Sequence, residues 1–285
     1  MKKFLTLLLV AIIVIYCGAL LPACHKKPES DLPHQENTPG LPEEEVEIVP
    51  PLPPSTEPDI PSEKEDVEVE NPPTPTKEYA YYLSATVDSL NVRAGANTGA
   101  KRLGVINKGD MVSLEGELGE WYRTLYKEQT AYVHKDYVKV VKIEKSNDKI
   151  EEVIKVGLAL LGHPYVYGSE RYHWGNGILN YNFVPGKYDC SALMQYMFYK
   201  GNGNLLEVTS KKQYYQGSAV DELKRGDLMF FTNANGYNAT GINRVRHVGL
   251  YLGDNYILHT ASDYAVIEPI SQTRWSYFIT AKRII

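Results

Sequence analysis

The stretch KYDCSALMQYMFY, residues 187–199, decides how the C-terminal half of this chain is read. Cys190, Leu193, Met194, Met197 and Phe198 recur at the spacing of a helix buried along one side. Asp189 suits the N-cap, which sets Cys190 in the first turn. Free amides and the helix dipole there favour a thiolate, and such sites lower a thiol pKa from ~8.5 to roughly 3.5–7.5. A cysteine at a helix start also fits a purely structural role, so this segment needs a partner elsewhere in the chain.

RVRHVGLYLGDNYILHT, residues 244–260, supplies one. Alternating residues on either side of Gly253-Asp254-Asn255 read as a β-hairpin. A turn centred on Gly253 sets His247 directly opposite His259, with Cβ atoms ~4.5–5.5 Å apart on one face; a centre shifted by half a residue is expected to make them diagonal neighbours. One imidazole can take the thiol proton while the second fixes its tautomer. A metal site on the same residues would need further ligands at tight spacing, such as C-x-x-C or H-E-x-x-H. Neither motif is present.

Cysteine usage gives Cys190 more weight. Lys2 and Lys3 precede an apolar run from Phe4 to Leu21, the order of an export signal. That run is also long enough for an uncleaved anchor. Leu21-Pro22-Ala23-Cys24 resembles a bacterial lipobox, which makes Cys24 the lipidation candidate; Cys17 follows the bulky Tyr16 and is a poor one. Lipid anchoring, uncleaved anchoring and secretion all place the folded part outside the cytoplasm. Cys190 then stands alone in an oxidising compartment.

Of the 17 prolines, 13 fall in residues 25–78, which carry a net charge of −11 and almost no aromatic residues. Such a segment cannot bury enough apolar surface to offset its ordering entropy, and it reads as a disordered, extended tether. Residues 79–285 carry +4 and 21 of the 22 tyrosines, enough chain for two small domains or one large one. The absence of strong basic character argues against nucleic acid as a partner.

Within 79–142, apolar runs at Tyr81–Val87, Leu90–Val92, Met111–Leu114, Trp121–Leu125 and Ala131–Val133 alternate with turn signals, the pattern of a small barrel. LNVRAGANTGAKRLGVINKGDMVSL, GEWYRTLY and AYVHKDYVKV resemble a bacterial SH3-like domain across its length, with Ala96 where that family commonly has proline. The resemblance implies a barrel that binds or orients peptidoglycan, and Trp121 and Tyr122 read as its core, with ligand contact as the alternative. A helix follows: Asp148 as cap, Glu151 completing a capping box, an apolar stripe of Ile150, Val153, Ile154, Leu158 and Leu161, and Gly162 and Pro164 as the stop.

GHPYVYGS, YDCSALMQYMF, KRGDLMFF, RHVGLYLGDNYILHT and FITAKRI occur in the order seen in NlpC-type cysteine peptidases, and the resemblance covers residues 148–285. It implies an α+β fold of papain-like type behind the all-β SH3-like barrel. It further implies cleavage of peptidoglycan stem peptides, commonly between γ-D-glutamate and the following diamino acid, with no cofactor. By position, Cys190 resembles the nucleophile, His247 the general base and His259 the residue that orients the base. Tyr165 matches a tyrosine beside the nucleophile. Asp189 and Ser191 match residues that contact the amino end of the stem peptide. Each of these three also fits a structural role, as core or as cap.

Two departures stand out. Ala192 replaces the glycine usual after D-C-S. SERYHWGNGILNYNFVPGKY, residues 169–188, is longer than the family's usual connection and leads straight into the nucleophile. Its Tyr172, Trp174, Tyr181 and Phe183 are candidates for substrate contact, whereas His163 and His173 read as non-catalytic. The expected protein is an exported peptidoglycan endopeptidase. The rivals are an amidase at the sugar–peptide bond, a non-catalytic wall-binding protein and an acyltransferase.

Overall fold

The computed structural model describes residues 76–260 and 263–285. The export segment with Cys24, and nearly all of the proline-rich stretch, lie outside the described residues. Among the described residues no helix is long and apolar enough to cross a membrane.

Eight strands come first: β1 (Tyr79–Ala85), β2 (Leu90–Arg93), β3 (Arg102–Ile106), β4 (Met111–Ser113), β5 (Gly116–Leu118), β6 (Trp121–Tyr126), β7 (Gln129–His134) and β8 (Val138–Glu144). The apolar runs locate five of them; β3, β5 and β8 are additional. The middle of β3 is Gly104, where a Cβ would meet the Tyr126 hydroxyl at 2.5 Å, so close packing replaces the apolar residue that would have marked a strand.

Helix α1 (Asp148–Leu160) then opens the α+β part. Its cap is Asn147 rather than Asp148: the Asn147 side chain accepts from the Ile150 amide, and Glu151 reaches back to the Ser146 amide. Helix α2 (Cys190–Asn202) runs from its Asp189 cap to Gly203, whose φ of 78° closes the helix in a left-handed turn. After α3 (Ser210–Gln213) come β9 (Ser218–Ala219), β10 (Leu228–Phe231), β11 (His247–Gly253), β12 (Tyr256–Thr260), β13 (Ala265–Pro269), α4 (Gln272–Ser276) and β14 (Phe278–Arg283).

The SH3-like strands and the α+β strands are not separate sheets. One nine-stranded sheet runs β8-β1-β4-β13-β12-β11-β10-β14-β9, joined where Met111 of β4 faces Ile267 of β13. The remaining strands form a five-stranded sheet, β3-β2-β7-β6-β5. Leu193, Met194, Met197 and Phe198 of α2 are fully buried, as the helical spacing requires, in one core with Val248, Leu250 and Leu258 of the sheet.

A buried guanidinium ties these layers together. Arg225 bonds both Glu151 carboxylate oxygens at 2.7 and 2.8 Å, the Tyr82 hydroxyl at 2.7 Å and the Leu252 carbonyl at 2.8 Å. It thereby links β1, α1 and β11. Four hydrogen bonds from its five N–H groups, two of them to a carboxylate, offset the cost of desolvating the charge.

Candidate active site

Asp189 holds the start of α2. Its Oδ1 accepts from the Ala192 amide at 2.9 Å and from the Ser191 hydroxyl at 3.1 Å. Cys190 occupies the first helical position and is buried. Burial dominates its ionisation: it pushes the thiol up to about 11, helped by the Asp189 carboxylate and only partly countered by the Val248 and Ser191 amides and by Arg171. The helix start alone favours a lowered value; desolvation reverses that expectation. The resting thiol is neutral.

The histidines meet by a route the even hairpin does not provide. The turn residues are Asp254 and Asn255, both with positive φ (48° and 65°), and Gly253 pairs with Tyr256. Continued without interruption, that register sets His259 against Leu250, on the face opposite His247. A bulge between Tyr251 and Gly253 takes up one residue, so Leu250 faces Leu258 and His259 falls opposite Gly249. One extra residue inverts the facing of a strand, and here it returns both imidazoles to one face as diagonal neighbours. His247 Nε2 and His259 Nδ1 are 2.8 Å apart, with the rings at 80° to each other.

The chain of contacts continues past His259. Its Nε2 lies 3.0 Å from Glu268 Oε1, which also accepts from Arg274 Nη2 at 2.7 Å. Burial would raise the Glu268 carboxyl, but the His259 hydrogen bond and the Arg274 charge outweigh it and hold the group at about 2. An ionised carboxylate only accepts, so the proton of neutral His259 sits on Nε2. His259 Nδ1 then accepts from His247 Nε2–H, and the His247 lone pair lies on Nδ1, which hydrogen-bonds nothing among the described residues. Burial, with the His259 and Arg274 charges, keeps the His247 imidazole well below its ordinary 6.5. Glu268 and Arg274 escaped the sequence reading. The one signal for Glu268 is a charge inside the apolar run AVIEPI, residues 265–270.

A two-lobed cleft surrounds these groups. The lobe on the imidazole side, about 460 Å³, is lined by His247, His259, Arg274 and Phe231. The lobe on the thiol side, about 490 Å³, is lined by Cys190, Asp189, Ser191 and Arg171. Tyr165, Asn233 and Arg246 border both. Of the six residues expected at the site, Asp189, Cys190 and Ser191 line one lobe, His247 and His259 line the other, and Tyr165 borders both. Tyr165 lies near enough for the Cys190 and Asp189 charges to act on its phenol, which burial already pushes up.

The aromatic residues of 169–188 do not line either lobe. Tyr172 and Phe183 pack with Tyr196, Tyr188 and Tyr199 in a cluster beside α2, and Tyr181 is fully exposed. Arg171 is the residue of this loop that reaches the cleft, ion-paired to Asp189 Oδ2 at 2.9 Å. His163 bonds Glu128 at 3.2 Å, His173 is fully buried, and neither lines the cleft. Among the described residues, no group of three or more His, Cys, Asp or Glu side chains is placed to hold a metal ion.

Residues 162–284 match the NlpC/P60 family and residues 88–139 the bacterial SH3 domain. The chain is 32% identical over 139 residues to a gamma-D-glutamyl-L-lysine dipeptidyl-peptidase of Bacillus subtilis, covering 48% of this chain and 40% of that protein. It is 27% identical over 137 residues to the peptidoglycan endopeptidase RipA of Mycolicibacterium smegmatis, covering 47% of this chain and 26% of that one. It therefore spans well under two thirds of either relative. Among solved structures, an NLP/P60-family protein of Staphylococcus aureus, described as similar to lipoprotein, is 28% identical, with a TM-score of 0.39 over 50% of this chain and 43% of that one.

Proposed function

We propose that this chain, which carries an NlpC/P60 domain behind a bacterial SH3 domain, is an extracytoplasmic peptidoglycan endopeptidase with Cys190 as its nucleophile. The carrying observation is the hydrogen-bonded line Glu268–His259–His247, which leaves the His247 Nδ1 lone pair open, while His247 and Cys190 line two lobes that share Tyr165, Asn233 and Arg246. The named relatives support the substrate class, and their description as peptidases favours the endopeptidase over the amidase. The bond cut is an amide of the stem peptide, with the γ-D-glutamyl–diamino acid bond as the specific candidate.

In this mechanism His247 Nδ1 takes the thiol proton as Sγ attacks the amide carbonyl. The Cys190 amide, free of an intrahelical acceptor at the first helical position, faces the developing oxyanion. The protonated His247 gives its proton to the leaving amine, and a thioester forms. Water, deprotonated by the same imidazole, then hydrolyses the thioester and restores the thiol. His259 and Glu268 hold the tautomer and orientation of His247. Tyr165, Asp189 and Ser191 shape the acyl side. Membrane attachment through Cys24 or the apolar N-terminus fits the same location.

The test is digestion of purified peptidoglycan by the full chain beside its Cys190→Ala variant, read by mass spectrometry. Fragments cut within the stem and seen only with the thiol present are expected. A whole stem peptide released from glycan would establish the amidase instead. Uncut muropeptides in both samples, with protein sedimenting on the wall, would leave a binding protein.

A further inference from the structure

The residue that departs on cleavage meets a different wall from the acyl half. On the proposed mechanism the acyl carbon is bonded to Cys190 Sγ, and the leaving amine takes its proton from His247. The departing residue therefore lies in the imidazole-side lobe, which His247 lines and Cys190 does not. No aspartate or glutamate among the described residues lines that lobe. Its two formal cations differ. Arg274 gives an N–H to Glu268 Oε1 at 2.7 Å, and the pair cancels. Arg246 is exposed and makes no side-chain hydrogen bond or salt bridge with the described residues.

The place of Arg246 is nonetheless fixed. Its amide donates to the Phe231 carbonyl at 2.8 Å, which extends the pairing of β10 with β11. A Cβ at Gly236 would stand 2.8 Å from Arg246 Nε and 2.9 Å from its Cγ, so the side chain rests against the 234–236 turn. Asn233 opens that turn: its Oδ1 accepts from the Gly236 amide at 2.9 Å. That bond sets the amide's orientation and leaves both Nδ2–H groups without a partner among the described residues, at a position that lines the lobe. A guanidinium fork and amide donors match a carboxylate. With no carboxylate of its own, the wall offers an ammonium no counter-charge.

We infer that the imidazole-side lobe is a subsite for a carboxylate on the side chain of the leaving diamino acid, with Arg246 as the specificity residue and Asn233 as a supporting donor. The assignment rests on the endopeptidase reading. Lysine ends in a bare ammonium, whereas diaminopimelate carries an ammonium and a carboxylate on its terminal carbon. The lobe therefore selects diaminopimelate over lysine, by repelling one as well as by holding the other. Amidation of the terminal carboxylate removes the anion and keeps the ammonium, so amidated diaminopimelate ranks with lysine.

The experiment compares synthetic stem tetrapeptides whose third residue is diaminopimelate, its side-chain amide or lysine, each followed by D-alanine so that the α-carboxyl is always blocked. A lysyl tripeptide supplies a free α-carboxylate instead. Hydrolysis is measured with the wild-type full chain, and binding by calorimetry with the Cys190→Ala full chain. The expected result is a preference of about 10-fold or more for the diaminopimelyl tetrapeptide in both readouts, the worth of one charge-assisted hydrogen bond. Arg246→Gln should raise KM for that peptide and narrow the preference to within about 2-fold, and Arg246→Lys should recover part of it. Selective binding without hydrolysis would sink the endopeptidase reading and keep the subsite. Hydrolysis of all tetrapeptides at equal rates, binding of none, or a preference that survives Arg246→Gln would overturn the subsite. A lysyl tripeptide handled as well as the diaminopimelyl tetrapeptide would overturn the side-chain assignment in favour of the α-carboxylate.

Discussion

His259 lies opposite Gly249, not His247, and the two imidazoles meet diagonally at 2.8 Å because position 249 has no side chain. A Cβ there would come within 2.9 Å of the His259 Cβ and 2.6 Å of the Ile257 Cδ1. Gly249→Ala therefore pushes His259 off its contact without straining the backbone. On the proposed mechanism, kcat should fall by about 10- to 100-fold, less than the roughly 100- to 10,000-fold worth of a whole acid–base group because His259 is displaced and not removed, with the fold retained by circular dichroism. Wild-type kcat in this variant would show that the diagonal contact does not matter.

Glu268→Gln keeps the shape of the carboxylate but removes its charge. The amide can present either a donor or an acceptor to His259 Nε2, so the tautomer of His259, and through it that of His247, is no longer imposed. kcat should drop by roughly 10-fold or more with KM little changed, and less than in His259→Ala. The His259 ring-nitrogen NMR shifts should move toward the other tautomer. An unchanged spectrum with an unchanged rate would remove Glu268 from the mechanism.

The pH profile carries a sign. His247 serves as a base only when neutral, and burial holds its pKa well below 6.5. Activity should stay level as pH falls to 6.5 and be lost only further down, where the imidazole protonates. The thiol, raised to about 11, starts protonated throughout this range, so no ion pair has to form before substrate binds. An acid limb of kcat/KM centred near pH 7 would contradict this ordering.

Arg225→Met tests how far the SH3-like strands support the site. The substitution leaves the Glu151 carboxylate without its partner, the Leu252 carbonyl without its donor and the Tyr82 hydroxyl unpaired. Breaking a buried ion pair from one side costs about 3–5 kcal/mol. Thermal unfolding should stay a single transition, because β4 and β13 share a sheet, but at a clearly lower Tm. Two separated transitions in the wild-type protein would mean that the two regions unfold independently.

The parts of this protein legible in its sequence are those fixed by near neighbours. Asp189 caps α2 and Cys190 opens it because capping and helical periodicity operate within a few residues. His247 and His259 fall on paired strands because alternation and the Gly253-Asp254-Asn255 turn signal are equally local. Distant contacts decided the rest. The bulge beside Leu252 sets which face His259 takes, and its carbonyl is held by Arg225, 27 positions away. Glu268 reaches His259 only once β13 lies beside β12, and Arg171 reaches Asp189 only once the 169–188 loop has packed. Burial, which no local pattern measures, then turned the thiol from the depressed value its helix position favours to a raised one, since desolvation grows with every layer packed over a charge.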